Sequence, residues 1–264
     1  MPDKSSVALI ATLHDPEGRM APFLPSCTPL IAQLYQYARV IATPASAAAT
    51  VGALEQVGVR VDRDGGAQIG VNRRRVLARA LTRPGVNFFH YCDFDRLLYW
   101  ASHHHDELQQ VVRRVIRRAD YTALGRTPAA FASHPPVQQA CEGLTNEVFS
   151  FLLSGLPHAD LPLEEVDVTA GSCGISRAAA WRLVSRSREP TNATDTEWPM
   201  LIACTDRLTL AFVQTAGLAF ETATFFGASA YAGAHTADNW QERVALAHDS
   251  IAAAMRVSRR HGCH

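Results

Sequence analysis

The sequence has no apolar run long enough to cross a membrane, no closely spaced cysteine pair and no excess of charge of either sign. Each absence removes a class of function. A membrane span needs about 20 predominantly apolar residues. The apolar stretch from Val7 to Leu13 ends at His14 and Asp15, too short for the core of a signal peptide followed by a cleavage site. The six cysteines (27, 92, 141, 173, 204 and 263) include no C-x-x-C. They are therefore expected to be reduced, mostly buried thiols of a cytoplasmic protein, and the sequon Asn192-Ala193-Thr194 to stay unglycosylated. Lys plus Arg and Asp plus Glu both total 25, which implies no general attraction to nucleic acid or anionic membrane, so any anion site must be local. No internal repeat and no linker divides the chain. Its 264 residues with 47% hydrophobic content suit one domain spanning 1–264.

The first half alternates short apolar runs with helical patterns. "SVALIATL" (6–13), "RVIATP" (39–44), "VRVD" (59–62) and "VNFFHYC" (86–92) read as four strands. Between them, "PLIAQLYQYA" (29–38), "AAATVGALEQVG" stopped by Gly58, and "VNRRRVLARAL" with Val76, Leu77, Ala80 and Leu81 on one face read as helices. This repetition predicts an α/β fold with a doubly wound, mostly parallel central sheet and helices on both faces. In such sheets the ligand lies beyond the carboxyl ends of the strands, which gathers Thr12 to Asp15, Thr43 to Ser46 and Asp93 to Asp95. Further on, the pattern predicts an amphipathic helix over 102–119 and a strand and turn over 121–135. It then gives a helix over 137–155, a strand at "VDVTA" before a Gly-rich turn, a helix from Ser176, a loop over 188–199, strand material over 208–222 and a closing helix from Trp240.

Asp93 and Asp95 end the most strand-like segment, "FFHYCDFD". Two carboxylates so close raise one another's pKa unless a cation shares their charge. Oxygen ligands suit Mg or Mn, and such ions commonly bridge a carboxylate to substrate phosphates. A solvated turn is the alternative, but aromatic and apolar residues flank these acids on both sides.

Here the chain resembles a known family, the GT-A-type nucleotide-diphospho-sugar glycosyltransferases, and in pattern it is most similar to mannosylglycerate synthase and its relatives. The likeness runs collinearly along nearly the whole chain: "LHDPEG" (13–18), "GVNRRRVLARAL" (70–81), the D-x-D, "GSCGISRAAAWRLV" (171–184), "TDTEWPML" (194–201) and "GAHTADNWQERV" (233–244). The resemblance implies a metal-dependent transferase. It would move a sugar from a nucleoside-diphosphate sugar donor to a small-molecule or carbohydrate acceptor, with Mn2+ or Mg2+ as cofactor. Residues 1–100 would form the nucleotide-binding half and 101–264 the acceptor-binding half with the C-terminal helix. Asp93, Asp95 and, from the Ala-His segment, His235 would hold the metal. Thr12, His14, Thr43, Gly70, Asn72, Arg73, Asp93 and Gly171 would line the nucleotide-sugar site. The family carries a Lys and an Asp where this chain has Ala67 and Ile69. A charge contact to the donor phosphate is then missing or supplied by Arg73 or Arg74.

Asp195 and Glu197 are the candidate catalytic carboxylates, as base toward the acceptor hydroxyl or facing the sugar. A helix cap near Trp198 accounts for Thr194 or Asp195 equally well. Arg126 and Thr127 suit an anionic or polyhydroxylated acceptor, or an ordinary solvated turn. The run "HHHDE" (103–107) reads as a surface helix start, since adjacent histidines point to different faces. Two other classes fit parts of the pattern. A D-x-D phosphohydrolase would use the first Asp as nucleophile, and a member of the fold could bind nucleotide or sugar without turnover. No nucleic-acid partner and no membrane span is expected, and nothing in the pattern speaks against a homo-oligomer.

Overall fold

The computed structural model describes residues 6–156, 163–222 and 236–261. A seven-stranded sheet runs through the molecule in the order β3-β2-β1-β4-β6-β5-β7. Its strands are β1 (Val7–Leu13), β2 (Tyr37–Ala42), β3 (Arg60–Asp62), β4 (Phe88–Cys92), β5 (Tyr121–Arg126), β6 (Ser172–Ser176) and β7 (Leu210–Thr215). All neighbours are parallel except β6, which runs antiparallel to both β4 and β5. The predicted, mostly parallel α/β sheet is therefore present, with one strand reversed near its middle.

The side chains of β1 show why the sheet is covered twice. Val7, Leu9, Ala11 and Leu13 point to one core and Ala8 and Ile10 to the other, the period of two that a strand imposes. The first core is closed by α1 (Leu24–Leu34), α2 (Ala48–Gln56), α4 (Phe94–His103) and α5 (His105–Arg113). The second lies under α3 (Ile69–Leu81), α7 (Pro136–Ser154), α8 (Arg177–Arg186), α9 (Thr194–Ala203) and α10 (Ala237–Arg260). The short α6 (Pro128–Ala132) follows β5. Among the described residues, no helix is long and apolar enough to cross a membrane.

Several local expectations are corrected. The helix predicted over 102–119 is broken. α4 begins already at Phe94, the chain kinks at His104, and α5 gives way to a 3-10 turn over Val115–Arg117. Leu97, Leu98, Trp100 and Ala101 form the buried stripe that makes "FDRLLYWASH" a helix. The "VDVTA" segment is not a strand, because Asp167 is drawn out of any ladder to bind Arg126. The Gly-rich stretch is the strand instead. β6 passes so close beneath Ile116 that a Cβ on Gly174 would lie 2.4 Å from that side chain. The loop expected over 188–199 turns into α9 at Thr194, and every residue of that helix is buried except Asp195. The N-cap of α9 is Ala193, with no side-chain cap bond, so neither Thr194 nor Asp195 is a cap.

Candidate active site

The carboxyl ends of β1, β2 and β4 open into a cavity of about 720 Å³. Thr12 and His14 come from the end of β1, Thr43 from the end of β2, and Asp93 and Asp95 from the junction of β4 with α4. Gly65, Gly66, Ala67 and Ile69 form another wall. The loop 65–67 is set by Asn72, whose side-chain amide bonds both ways to the backbone of Gly66 (3.0 and 2.8 Å). His14 accepts or donates a 2.8 Å bond with Thr43 at the exposed rim. Of the expected nucleotide-sugar residues, three do not line this cavity: Gly70, its N–H bonded to Pro190 O at 2.9 Å, and Arg73 and Gly171, which line a second cavity instead.

Phe94 is buried, so the backbone carries Asp93 and Asp95 around it and both face the cavity. Asp93 occupies the position before α4, and Asp95 sits in its first turn, where the helix dipole favours negative charge. The surroundings of the two acids differ. Asp93 accepts bonds from the Tyr91 hydroxyl, from Thr12 Oγ1 (3.1 Å) and from Arg73 Nη2 (3.2 Å). Asp95 has its own neighbour's backbone, Arg96 N, at 2.8 Å. Burial, then the charges of Glu221 and Asp93, push the Asp95 carboxyl up to about 7, with Arg96 opposing them. Glu221 had no role in the sequence reading; it lines the cavity, and its Oε2 is buried without a partner. No local signal in "AFETATF" marks it.

Gly171 closes the site from the side of β6. Its φ is +66°, and a Cβ there would fall 2.6 Å from Asp93 Oδ2. Its carbonyl accepts from Asp93 N at 3.2 Å. The Gly-rich stretch thus serves close backbone approach to the acid rather than to a phosphate.

Arg73 is the hinge of the arrangement. Fully buried, it bonds Tyr91 OH (2.7 Å), Thr194 Oγ1 (2.9 Å), Asp195 Oδ1 (2.5 Å) and Asp93. It joins Asp195, over a hundred residues away in sequence, to the D-x-D. Burial pushes the Asp195 carboxyl up to about 6; Arg73 counteracts this and Asp93 adds to it. A second, smaller cavity of about 100 Å³ opens on the far side of Asp93 and Arg96, lined by Arg73, Asp195, Asn192, Glu142 and Arg243.

Three further expected site residues are placed elsewhere. Glu197 turns from the cavity and accepts from Ser187 Oγ (2.5 Å), Arg188 N (2.8 Å) and Glu189 N (3.2 Å), which fixes the turn before α9. Arg126 is a buried strand residue. Asp167 takes its Nε at 2.8 Å and its Nη2 at 2.9 Å, and Glu142 lies 2.6 Å from Nη1. Thr127 caps α6 by accepting from Ala130 N at 3.3 Å. Arg74, the alternative to Arg73 as phosphate contact, reaches Glu189 O instead. His235 lies outside the described residues, and among the described ones no group of three or more His, Cys, Asp or Glu converges as a metal site. Asp93 and Asp95 are two oxygen donors in an acidic setting with Glu221, a set that suits a hard divalent cation. The Tyr91 and Thr12 hydroxyls both bond Asp93 Oδ1, and Oδ2 takes only Arg73 at 3.2 Å, which leaves it acceptor capacity toward the cavity.

The sheet order, mostly parallel with β6 reversed, is that of a GT-A-like fold. No family model and no curated protein matches the sequence. Solved structures do match in shape. Mannosyl-3-phosphoglycerate synthase from Rubrobacter xylanophilus superimposes with a TM-score of 0.58 at 13% identity, covering 98% of this chain and 75% of that one. Glucosyl-3-phosphoglycerate synthase from Mycobacterium tuberculosis does so with a TM-score of 0.54 at 16% identity, covering 95% of this chain and 80% of that one. The same enzyme in complex with Mn2+, UDP-glucose and glycerol 3-phosphate gives 0.54 at 15% identity, with 95% and 79% covered.

Proposed function

We propose that this chain is a metal-dependent glycosyltransferase that moves a sugar from a nucleoside-diphosphate sugar to a hydroxyl of a small or carbohydrate acceptor. The observation that carries the reading is the pair Asp93 and Asp95 on the floor of the 720 Å³ cavity, linked through one buried guanidinium to Asp195 at a second cavity. A donor nucleotide lies along the ends of β1 and β2 against Thr12, Thr43 and the 65–67 loop, which Asn72 holds. Asp93 and Asp95 would hold Mn2+ or Mg2+, with His235 as a third candidate ligand, and the ion would supply Lewis-acid stabilisation of the departing diphosphate. Arg96 is the one arginine or lysine among the described residues lining this cavity, so it supplies the cationic contact that Ala67 and Ile69 cannot.

Asp195 faces the acceptor side. With its carboxyl raised to about 6 it is ionised at neutral pH yet basic enough to take a proton, the match that general-base catalysis requires. The bond from the anomeric carbon to the diphosphate oxygen breaks, and a bond to the acceptor oxygen forms. The hydroxyl proton passes to Asp195, and the nucleoside diphosphate leaves with the electron pair. Arg73 keeps Asp195 and Asp93 in one frame, so acceptor and donor sites hold their spacing.

Incubation with UDP- and GDP-sugars and Mn2+, followed by mass spectrometry, tests the activity. Nucleotide release with sugar transfer or hydrolysis, lost on chelation, is expected. Absence of any donor consumption, despite nucleotide binding, would favour the alternative of a GT-A-fold binding protein, which the uncharged Ala67 and Ile69 wall supports.

A further inference from the structure

We infer that the acceptor is an uncharged polyhydroxy compound, and that the second cavity selects against carboxylates and phosphates; this rests on the glycosyltransferase reading. Three arginines line the cavity, Arg73, Arg96 and Arg243, and three acids face them, Asp93, Glu142 and Asp195. Arg73 is committed to Asp93 and Asp195. Arg243 lies 3.8 Å from Glu142, which also meets Arg126 behind the wall, itself held by Asp167. Arg96 bonds Ala170 O at 2.6 Å and borders the donor cavity as well, where a diphosphate would claim it. Residues 157–162 and 223–235 contain neither lysine nor arginine, and Lys4 is the chain's single lysine. An anion entering here would meet three carboxylates, and Arg96, the one guanidinium of the three without a carboxylate bonded to it, is shared with the donor cavity.

The polar atom left over has the opposite demand. Asn192 lines the cavity, and its Oδ1 is buried without a partner, an acceptor waiting for a donor. Buried acceptors left unpaired are costly, so a hydroxyl that donates is favoured over an anionic oxygen, which cannot. Asp195 takes the second hydroxyl, the reacting one. At about 100 Å³ the cavity is much the smaller of the two, against about 720 Å³ for the donor cavity.

The test is acceptor competition with the whole protein, Mn2+ and whichever donor it consumes. Glycerol, erythritol and methyl glucoside are set against glycerate, glycerol 3-phosphate and 3-phosphoglycerate, with product read by mass spectrometry. Transfer to the neutral alcohols at about tenfold or greater preference in kcat/KM is expected. Glu142→Gln, which releases Arg126 and Arg243 from their shared carboxylate, should move the ratio toward the acids by about tenfold. Preference of the wild-type protein for an acid or phosphate overturns the assignment, as does no transfer to any neutral alcohol while Mn-dependent nucleotide binding is intact. An unchanged ratio in a folded Glu142→Gln also overturns it; should that variant not fold, the wild-type ratio decides alone. Loss of Mn-dependent nucleotide binding in the wild type would instead count against the glycosyltransferase reading itself.

Discussion

Replacing Arg73 by methionine should unfold more of the site than any single change to its acids. The guanidinium is 2% exposed and satisfies Asp93, Asp195, Tyr91 and Thr194 at once. Methionine keeps the volume but leaves two carboxylates facing a buried region without their cation. Breaking a buried ionic network by removing one partner costs about 3–5 kcal/mol. At roughly 2–4 °C per kcal/mol for a domain of this size, the fall in Tm is about 6–20 °C. Because the loss is mainly that of an unpaired acid, adding Asp195→Asn should recover part of it. The double variant should be less destabilised than the sum of the singles by about 1–3 kcal/mol, the coupling expected of residues in one network. Urea titrations of the four proteins measure the coupling, and thermal melts the fall in Tm. Additivity within about 0.5 kcal/mol, or a Tm fall of only about 2 °C, would refute the claim that Arg73 ties Asp195 to the D-x-D.

Further outcomes follow from individual contacts. Gly171→Ala forces a Cβ against Asp93 at a positive φ, so metal-dependent nucleotide binding should be lost while stability falls by only about 1–3 kcal/mol; retained binding in calorimetry would contradict the placement. Glu197→Gln weakens the bonds that charge supports at the 187–189 turn and should cost about 1–3 kcal/mol with kcat largely kept. A collapse of kcat without a stability change would return Glu197 to the chemistry. Burial pushes His90 down to about 3, against about 6.5 in an unfolded chain. Its folded pKa is depressed, so below pH 6.5 the unfolded chain takes a proton that the folded one refuses, and stability drains as pH falls from about 6.5 toward 3. At about 1.4 kcal/mol per unit this amounts to a few kcal/mol. His90→Gln should flatten the acid limb of a Tm profile, and an unchanged limb would contradict it.

Much of the fold was legible because β1 to β4 and their helices carry clean periodicities. "VALIATL" is apolar at every position but one because both its faces are covered, and Val76, Leu77, Ala80 and Leu81 announce one side of α3. The second half misled where tertiary demands overrode local composition. The small residues of β6 are there because Ile116 crosses above Gly174, which from sequence alone looks like a turn. The helix α4 hides between two signals, the D-x-D and the histidine run, each of which draws the eye from its stripe of Leu97, Leu98 and Ala101. At the site, Asp93, Asp95 and Asp195 could be named from spacing and resemblance. Which of them share a cation could not: the sequence pointed to Arg73 or Arg74 as a contact to the donor phosphate, and only the inward face of Arg73 shows it tying Asp93 to Asp195. Arg126 shows the converse: its type suggested a ligand contact, while Asp167 and Glu142, 41 and 16 positions away, make it structural.

The central claim is that Asp93 and Asp95 hold a divalent cation that a nucleoside diphosphate shares. Thermal-shift measurements with UDP, GDP and ADP, each with and without Mn2+, test it most directly, alongside Asp95→Ala. The account predicts stabilisation by one of these nucleotides that requires Mn2+ and disappears in the variant. No Mn-dependent stabilisation by any of the three, or an undiminished shift in Asp95→Ala, would contradict it.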